Sequence, residues 1–161
     1  LALFLMVIIP SLAQFSQVQS GLIYHFTKYV EWPANMRSGN FVIGVVGKTD
    51  ITSFLKALAS SKKAGTQKIV VKQFKSVNDV TKCHIIYLPK SQSKNFSVAL
   101  AKGTSFNSLL ITEKSGLGKK GSCVNFIIDG GKPKFEVNKS AIKKAKLKIS
   151  EKLVALGVVV G

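Results

Sequence analysis

Short, uninterrupted apolar runs are the feature that most restricts how this chain can fold. Three of them, at 41–47, 83–89 and 108–113, have the length of a strand and no regular polar alternation. Strands of this kind are buried on both faces, as they are in parallel sheets. The segments that follow the first two runs place apolar residues at helical spacing, over 51–58 and 96–100. This strand–helix–strand alternation predicts a mostly parallel sheet with helices on both of its faces.

The remaining strands complete one domain, which 161 residues are enough to build. The run KIVVKQF at 68–74 is a further strand. The runs CVNFIID at 123–129 and PKFEVN at 133–138 predict an antiparallel hairpin across Gly130 and Gly131. We therefore expect an α/β fold, a single three-layer α/β/α domain. Its mostly parallel sheet has about six strands and carries a C-terminal antiparallel hairpin, with helices on both faces.

The first residues, LALFLMVIIPSLAQ, are typical of a signal-peptide remnant. The apolar run Leu1–Ile9 is too short to span a bilayer, which takes about 20 residues. Ser11 and Ala13 have the spacing that signal peptidase requires, with cleavage after Ala13. A buried N-terminal helix and a membrane anchor are the alternatives. We expect residues 1–13 to be a signal-peptide remnant and residues 14–161 to be an exported α/β domain.

The charge of the chain, +17, is carried almost entirely by lysine. Arg37 is the single arginine among 24 basic residues. Readers of nucleic acid favour arginine, whose planar group grips phosphates and base edges with two hydrogen bonds. Dispersed lysines instead give a solvated surface with weak attraction to anionic surfaces. The composition therefore argues against specific nucleic-acid binding.

The two cysteines, Cys83 and Cys123, each begin an apolar run. In an exported protein they are candidates for a disulfide, because the compartment is oxidising. Two buried, unreactive thiols are the alternative. The sequence does not show whether the two strand ends lie close enough to pair.

No catalytic, cofactor-binding or metal-binding motif stands out. The run Gly116–Gly121 matches G-x-G-x-x-G, but a dinucleotide site needs a helix after this loop and a strand is expected instead. His25 and His84 have no partners at catalytic or metal-ligand spacing. We therefore predict no catalytic residues, no metal and no cofactor, and a protein that is not an enzyme.

An amphipathic helix is expected from Gln17 to Trp32, because apolar residues recur at helical spacing until Pro33 stops it. Its second half concentrates amphipathic aromatic residues, which commonly anchor interfaces. This face could equally serve only to cover the sheet. The candidate partner-binding surface comprises Tyr24, His25, Phe26, Lys28, Tyr29, Trp32 and Pro33.

The order and spacing of several short motifs resemble the YfiR family of bacterial periplasmic proteins across nearly the whole of the chain after residue 13. These motifs are Tyr24-x-Phe26-x-Lys28-Tyr29-Val30-x-Trp32-Pro33, Phe41-x-Ile43-Gly44-Val45-x-Gly47, Cys83-His84-Ile85-Ile86-Tyr87, Val124-Asn125-Phe126, Phe135-Glu136-Val137-Asn138 and Leu147-Lys148-Ile149-Ser150-x-Lys152-Leu153.

The resemblance implies a periplasmic regulator, often dimeric, that binds the periplasmic domain of a membrane-bound signalling protein of the diguanylate cyclase type, and so acts in cyclic di-GMP signalling. It also implies redox control through two disulfides, for which this chain has too few cysteines. From another class of function, the alternative is a cationic binder of peptidoglycan, lipid headgroups or another polyanion of the envelope.

Overall fold

A computed structural model describes residues 11–161. The apolar run Leu1–Ile9 of the expected signal peptide lies outside the described residues. The helices are α1 (Leu12–Tyr29), α2 (Ile51–Ser61), α3 (Phe96–Phe106), α4 (Lys139–Lys144) and α5 (Glu151–Val154). The strands are β1 (Val30–Glu31), β2 (Phe41–Val46), β3 (Lys63–Ala64), β4 (Gln67–Phe74), β5 (Ile85–Leu88), β6 (Leu109–Thr112), β7 (Val124–Asp129), β8 (Lys132–Val137), β9 (Lys148–Ile149) and β10 (Val158–Val159).

The main sheet has eight strands in the order β10-β8-β7-β6-β5-β2-β4-β3. Strands β4, β2, β5, β6 and β7 run parallel to one another, and β7 and β8 form the expected antiparallel hairpin. The mixed α/β class and the mostly parallel sheet are thus confirmed. The six longer strands correspond to the six expected ones, and the two additional strands, β3 and β10, are two-residue edges of a curled sheet. Three distinct layers stay a prediction.

Helix α1 begins earlier and ends earlier than the sequence pattern predicts. Ser11 caps it, because its hydroxyl accepts the backbone N–H of Gln14 while the Gln14 side chain accepts the backbone N–H of Ser11. The helix stops at Tyr29 because Val30 is extended and pairs with Ile149 of β9. The predicted end at Trp32 is therefore wrong by three residues. No helix in the described part of the chain is long and apolar enough to cross a bilayer.

Helix α1 packs against β7 and β8 of the sheet through Phe26, which is fully buried. The Phe26 ring stacks on Phe126 of β7 at 6.3 Å between ring centres and meets Phe135 of β8 edge-on at 5.4 Å. On β2, Gly44 is required by close packing, since a Cβ there would lie 2.8 Å from the Cys83 sulfur. The packing of Phe26 thus attaches the second half of α1 to the sheet.

Candidate partner-binding surface

The seven residues of the candidate surface lie at the end of α1 and the corner that follows, but they do not share one environment. Phe26 and Trp32 are buried, and Tyr24 and Pro33 are half-buried. His25, Lys28 and Tyr29 are exposed. Phe26 and Trp32 therefore hold the segment in place and leave the other five residues to present a surface.

Trp32 anchors the corner formed by Trp32 and Pro33 to the sheet. Its indole Nε1–H donates to the backbone carbonyl of His84 at 3.0 Å, and its ring meets Phe41 edge-on at 4.9 Å. The carbonyl of Trp32 in turn accepts from Arg37 Nε at 2.7 Å, and the Arg37 guanidinium pairs with Glu31. Arg37 thus stabilises this corner through both contacts.

His84 lies under Trp32 as a neutral ring. Its Nδ1 accepts the backbone N–H of Val42 at 3.0 Å, and its Nε2 lies 2.7 Å from the carbonyl of Met36. A carbonyl only accepts, so Nε2 carries the proton. Burial lowers the pKa of the imidazole below its ordinary value, although the Met36 bond acts against it, and the charge of Lys82 lowers it further. This histidine is a structural link between three segments.

The exposed part of the surface is a short row of rings along α1. The His25 ring stacks on Tyr29 at 6.4 Å between centres and lies tilted against Tyr24 at the same distance. The Lys28 ammonium sits 4.8 Å from the centre of the Tyr24 ring, in cation–π contact. His25 with Tyr29, and Tyr24 with Lys28, are each four residues apart on one helix, so the two pairs form an aromatic and cationic patch.

A groove of about 390 Å³ lies beside this patch, along the paired strands β1 and β9. Lys28, Tyr29 and Glu31 line one side, and Lys148, Ile149 and Ser150 line the other. The Ser150 N–H donates to the Tyr29 carbonyl at 2.9 Å, which closes the end of the groove. The sequence alone does not predict the second side of the groove. The motif from Leu147 to Leu153 contains its residues, but nothing in that motif indicates that Ile149 pairs with Val30.

The structure does not bring Cys83 and Cys123 together, and both are free, buried thiols. They precede β5 and β7, and β6 lies between those strands. Two strand spacings are about 9.5 Å, beyond the Cα separation of about 7 Å that a disulfide permits. Burial raises the pKa of each thiol to about 11. The expected disulfide is therefore not formed, and the alternative of two buried thiols describes this structure.

The glycine-rich run Gly116–Gly121 forms turns between β6 and β7. Because β7 follows it, no helix begins directly after the loop, as the sequence pattern predicts. Within residues 11–161 no cluster of three or more His, Cys, Asp or Glu side chains could hold a metal ion.

Comparison with known proteins gives one family and two similar folds. The family model described as YfiR/HmsC-like matches residues 16–158. No protein of curated function matches the sequence. A conserved domain protein from Vibrio cholerae O1 biovar El Tor has a TM-score of 0.61 at 14% identity. The ABC domain from Streptococcus pneumoniae, solved in complex with L-Trp, has a TM-score of 0.56 at 12% identity. Each match covers 89% of this chain and 59% of the other chain, and at such identities it shows the fold alone.

Proposed function

The chain belongs to the YfiR/HmsC-like family, and from that premise we propose that it is an exported, non-enzymatic regulator of the bacterial periplasm. Its partner is a membrane-bound signalling protein of the diguanylate cyclase type, bound through the partner's periplasmic domain. The observation that carries this proposal is the family match over residues 16–158, which includes most of α1 and all of β9. In the same proposal residues 1–13 are the leader and residues 14–161 the exported domain.

The aromatic patch and the groove beside it are the proposed contact with the partner. Interfaces favour rings that are already ordered, because little side-chain entropy is lost when the partner binds. His25 and Tyr29 meet that condition through their mutual stacking. Binding would then favour one arrangement of the partner's external domain over another, and the signal would follow from the difference in affinity for the two arrangements.

Redox control through this chain's own cysteines has little support. Thiolates are the species that form disulfides, and both thiols are buried with pKa values of about 11. The proposed regulation therefore acts through partner binding and not through a bond between Cys83 and Cys123.

The test is binding of the periplasmic sensor domain of a membrane-bound diguanylate cyclase from the same organism, measured by calorimetry. Tyr29→Ala should weaken binding by about tenfold or more, because truncated aromatic anchors commonly cost over 1 kcal/mol. Val98→Ala on α3 is the matched control, since Val98 is 39% exposed and Tyr29 is 40% exposed. Equal affinities for the two variants would remove this surface from the proposal, and the absence of any binding by the unmutated chain would remove the cyclase partner.

A second candidate function rests on the unbalanced charge. Among the described residues, Lys134 and Lys139 are the lysines within 4 Å of a carboxylate, at 2.6 Å from Asp129 and 2.9 Å from Glu151. The other lysines have no such partner there. A surface of this kind attracts anionic polymers and headgroups of the cell envelope, and the strength of that attraction depends on salt.

A further inference from the structure

A cavity of about 370 Å³ opens between α3, α4 and the loop that leads into β7. Leu100 of α3, Leu110 of β6 and Cys123 form part of its wall. Lys119, Lys120 and Lys144, all exposed, stand around it. The volume is at the lower end of the range for small-molecule sites, which suits a ligand of one or two rings.

Three of the four uncharged polar side chains of the cavity wall are already hydrogen-bonded within the protein, and the fourth, Ser140, is exposed. The Ser108 hydroxyl donates to the Cys83 carbonyl at 2.6 Å, and the Thr104 hydroxyl donates to the Leu100 carbonyl at 3.0 Å. The Asn138 amide donates to the Gly118 carbonyl at 2.8 Å, and its oxygen accepts the Ala141 N–H at 2.8 Å. The hydroxyl protons of Ser108 and Thr104 are therefore not available to a ligand, and Leu100, Leu110 and Cys123 supply apolar surface beside them.

The inner thiol adds no charge to this wall. Cys123 is 3% exposed, and burial raises its pKa to about 11, so it is neutral at physiological pH. A ligand group that lies against Leu100, Leu110 and Cys123 is consequently favoured when it is apolar.

The cavity rim has the opposite character. No carboxylate side chain of residues 11–161 lines it, but the backbone carboxylate of Gly161 does, and no carboxylate of these residues lies within 4 Å of the Lys119, Lys120 or Lys144 ammonium groups. The nearby Glu136 carboxylate accepts from the Asn125 amide at 2.8 Å. Three like charges around an apolar recess favour an anionic group at its opening.

We propose that this lysine-rimmed cavity binds a small organic anion, in which a compact apolar body carries a phosphate or carboxylate. The apolar body lies against Leu100, Leu110 and Cys123, and the anionic group lies among the three lysines. An inorganic anion would leave the apolar wall exposed, and a neutral ring would gain nothing from the lysines. The site is separate from the aromatic patch and the groove beside β9, so its test needs no protein partner.

The test is calorimetric titration of the full chain with 1-naphthyl phosphate, compared with inorganic phosphate and with 1-naphthol. We expect 1-naphthyl phosphate to bind at least about tenfold more tightly than either control, because only it uses both parts of the cavity. Equal affinity for inorganic phosphate, or for 1-naphthol, would overturn the proposal.

Two variants that lose the same charge distinguish binding in the cavity from attraction by the overall charge of the protein. The triple variant Lys119→Gln/Lys120→Gln/Lys144→Gln should lose about tenfold in affinity for 1-naphthyl phosphate. The variant Lys56→Gln/Lys94→Gln/Lys132→Gln removes the same charge from exposed positions outside the cavity and should lose less than about twofold. Equal losses in both variants would show attraction by net charge alone and would overturn the site.

Cysteine labelling gives a readout that reports the cavity directly. With iodoacetamide and mass spectrometry, 1-naphthyl phosphate should slow alkylation of Cys123 more than alkylation of Cys83, since Cys123 lines the cavity and Cys83 does not. General stabilisation by a ligand bound elsewhere would slow both thiols equally, and that result would contradict the proposed position.

Discussion

At the scale of single residues, ionisation of the His84 imidazole would disturb the hydrogen bonds that hold Trp32 and the residues after it. Its two nitrogens join the backbone of Val42 to that of Met36, while its own carbonyl receives the Trp32 indole. Protonation would put a second donor where Nδ1 now accepts, and it would place a charge in a buried site. The neutral form is therefore the one that this packing accommodates.

The lowered pKa of His84 predicts that the protein loses stability as the pH falls from about 7 to about 5. The unfolded chain takes up a proton near the ordinary histidine pKa of 6.5, and the folded chain takes it up only at lower pH. The loss therefore begins near that value and continues down to the folded pKa, with a slope of at most about 1.4 kcal/mol per pH unit. Urea unfolding at several pH values measures it.

The control for this prediction is the other histidine. His84→Gln should flatten the dependence of the unfolding free energy on pH across this range, whatever its effect on stability at pH 7. His25→Gln should leave the dependence as it is in the unmutated protein, because His25 is exposed on α1. A dependence that disappears with His25→Gln and persists with His84→Gln would contradict the assignment.

At the scale of secondary-structure elements, the sequence predicts what depends on local pattern. The continuous apolar runs located β2, β5 and β6, and the glycine pair located the hairpin of β7 and β8. The strands β1, β3, β9 and β10 have two residues each, too few to show any periodicity. They exist through pairing between distant segments, such as Val30 with Ile149, which a single sequence does not display.

The difference between local pattern and long-range contact also explains how much of the candidate surface the sequence predicts. The aromatic residues from Tyr24 to Trp32 stood out by composition, and the structure does place them together. Their division into buried and exposed members depends on Phe126, Phe135 and His84, which belong to other elements. The side of the groove formed by β9 depends likewise on a long-range pairing.

The pairing of β1 with β9 predicts different effects for two valines, Val30 in β1 and Val18 within α1. Val30→Ala should lower the free energy of unfolding by about 2 kcal/mol, since Val30 is 6% exposed and loses two buried methyl groups. Val18→Ala should change it by less than about 0.5 kcal/mol, because Val18 is 46% exposed on α1. Urea unfolding measures both variants.

Hydrogen exchange supplies the second measurement for this prediction. The Ser150 amide, which donates to Tyr29, should exchange faster in Val30→Ala than in the unmutated protein, while amides of β5 in the middle of the sheet keep their protection. Equal destabilisation by the two valine variants, with no change at Ser150, would mean that β1 and β9 do not hold this corner.

At the scale of the whole molecule, the +17 charge is an unpaired property of the surface and not a support for the fold. The three ion pairs of the described residues join partly exposed side chains, with about half or more of the surface of each acidic partner accessible. Such pairs add little stability. The charge therefore affects mainly the contacts of the protein with anionic surfaces. Because salt screens such contacts, the salt dependence of binding distinguishes the envelope-binding function from the regulatory one.

The last prediction compares two targets as the salt concentration rises from about 50 mM to about 500 mM NaCl. Binding to vesicles that contain phosphatidylglycerol should weaken steeply, because attraction between exposed charges is screened beyond about 8 Å at physiological ionic strength. Binding to the periplasmic domain of the cyclase should weaken much less, because the proposed contact is largely aromatic and buries its rings. Sedimentation with vesicles and calorimetry with the domain measure the two affinities. If the domain shows the same steep decline as the vesicles, and Tyr29→Ala leaves both unchanged, the chain is a cationic envelope binder and not a regulator with a defined docking surface.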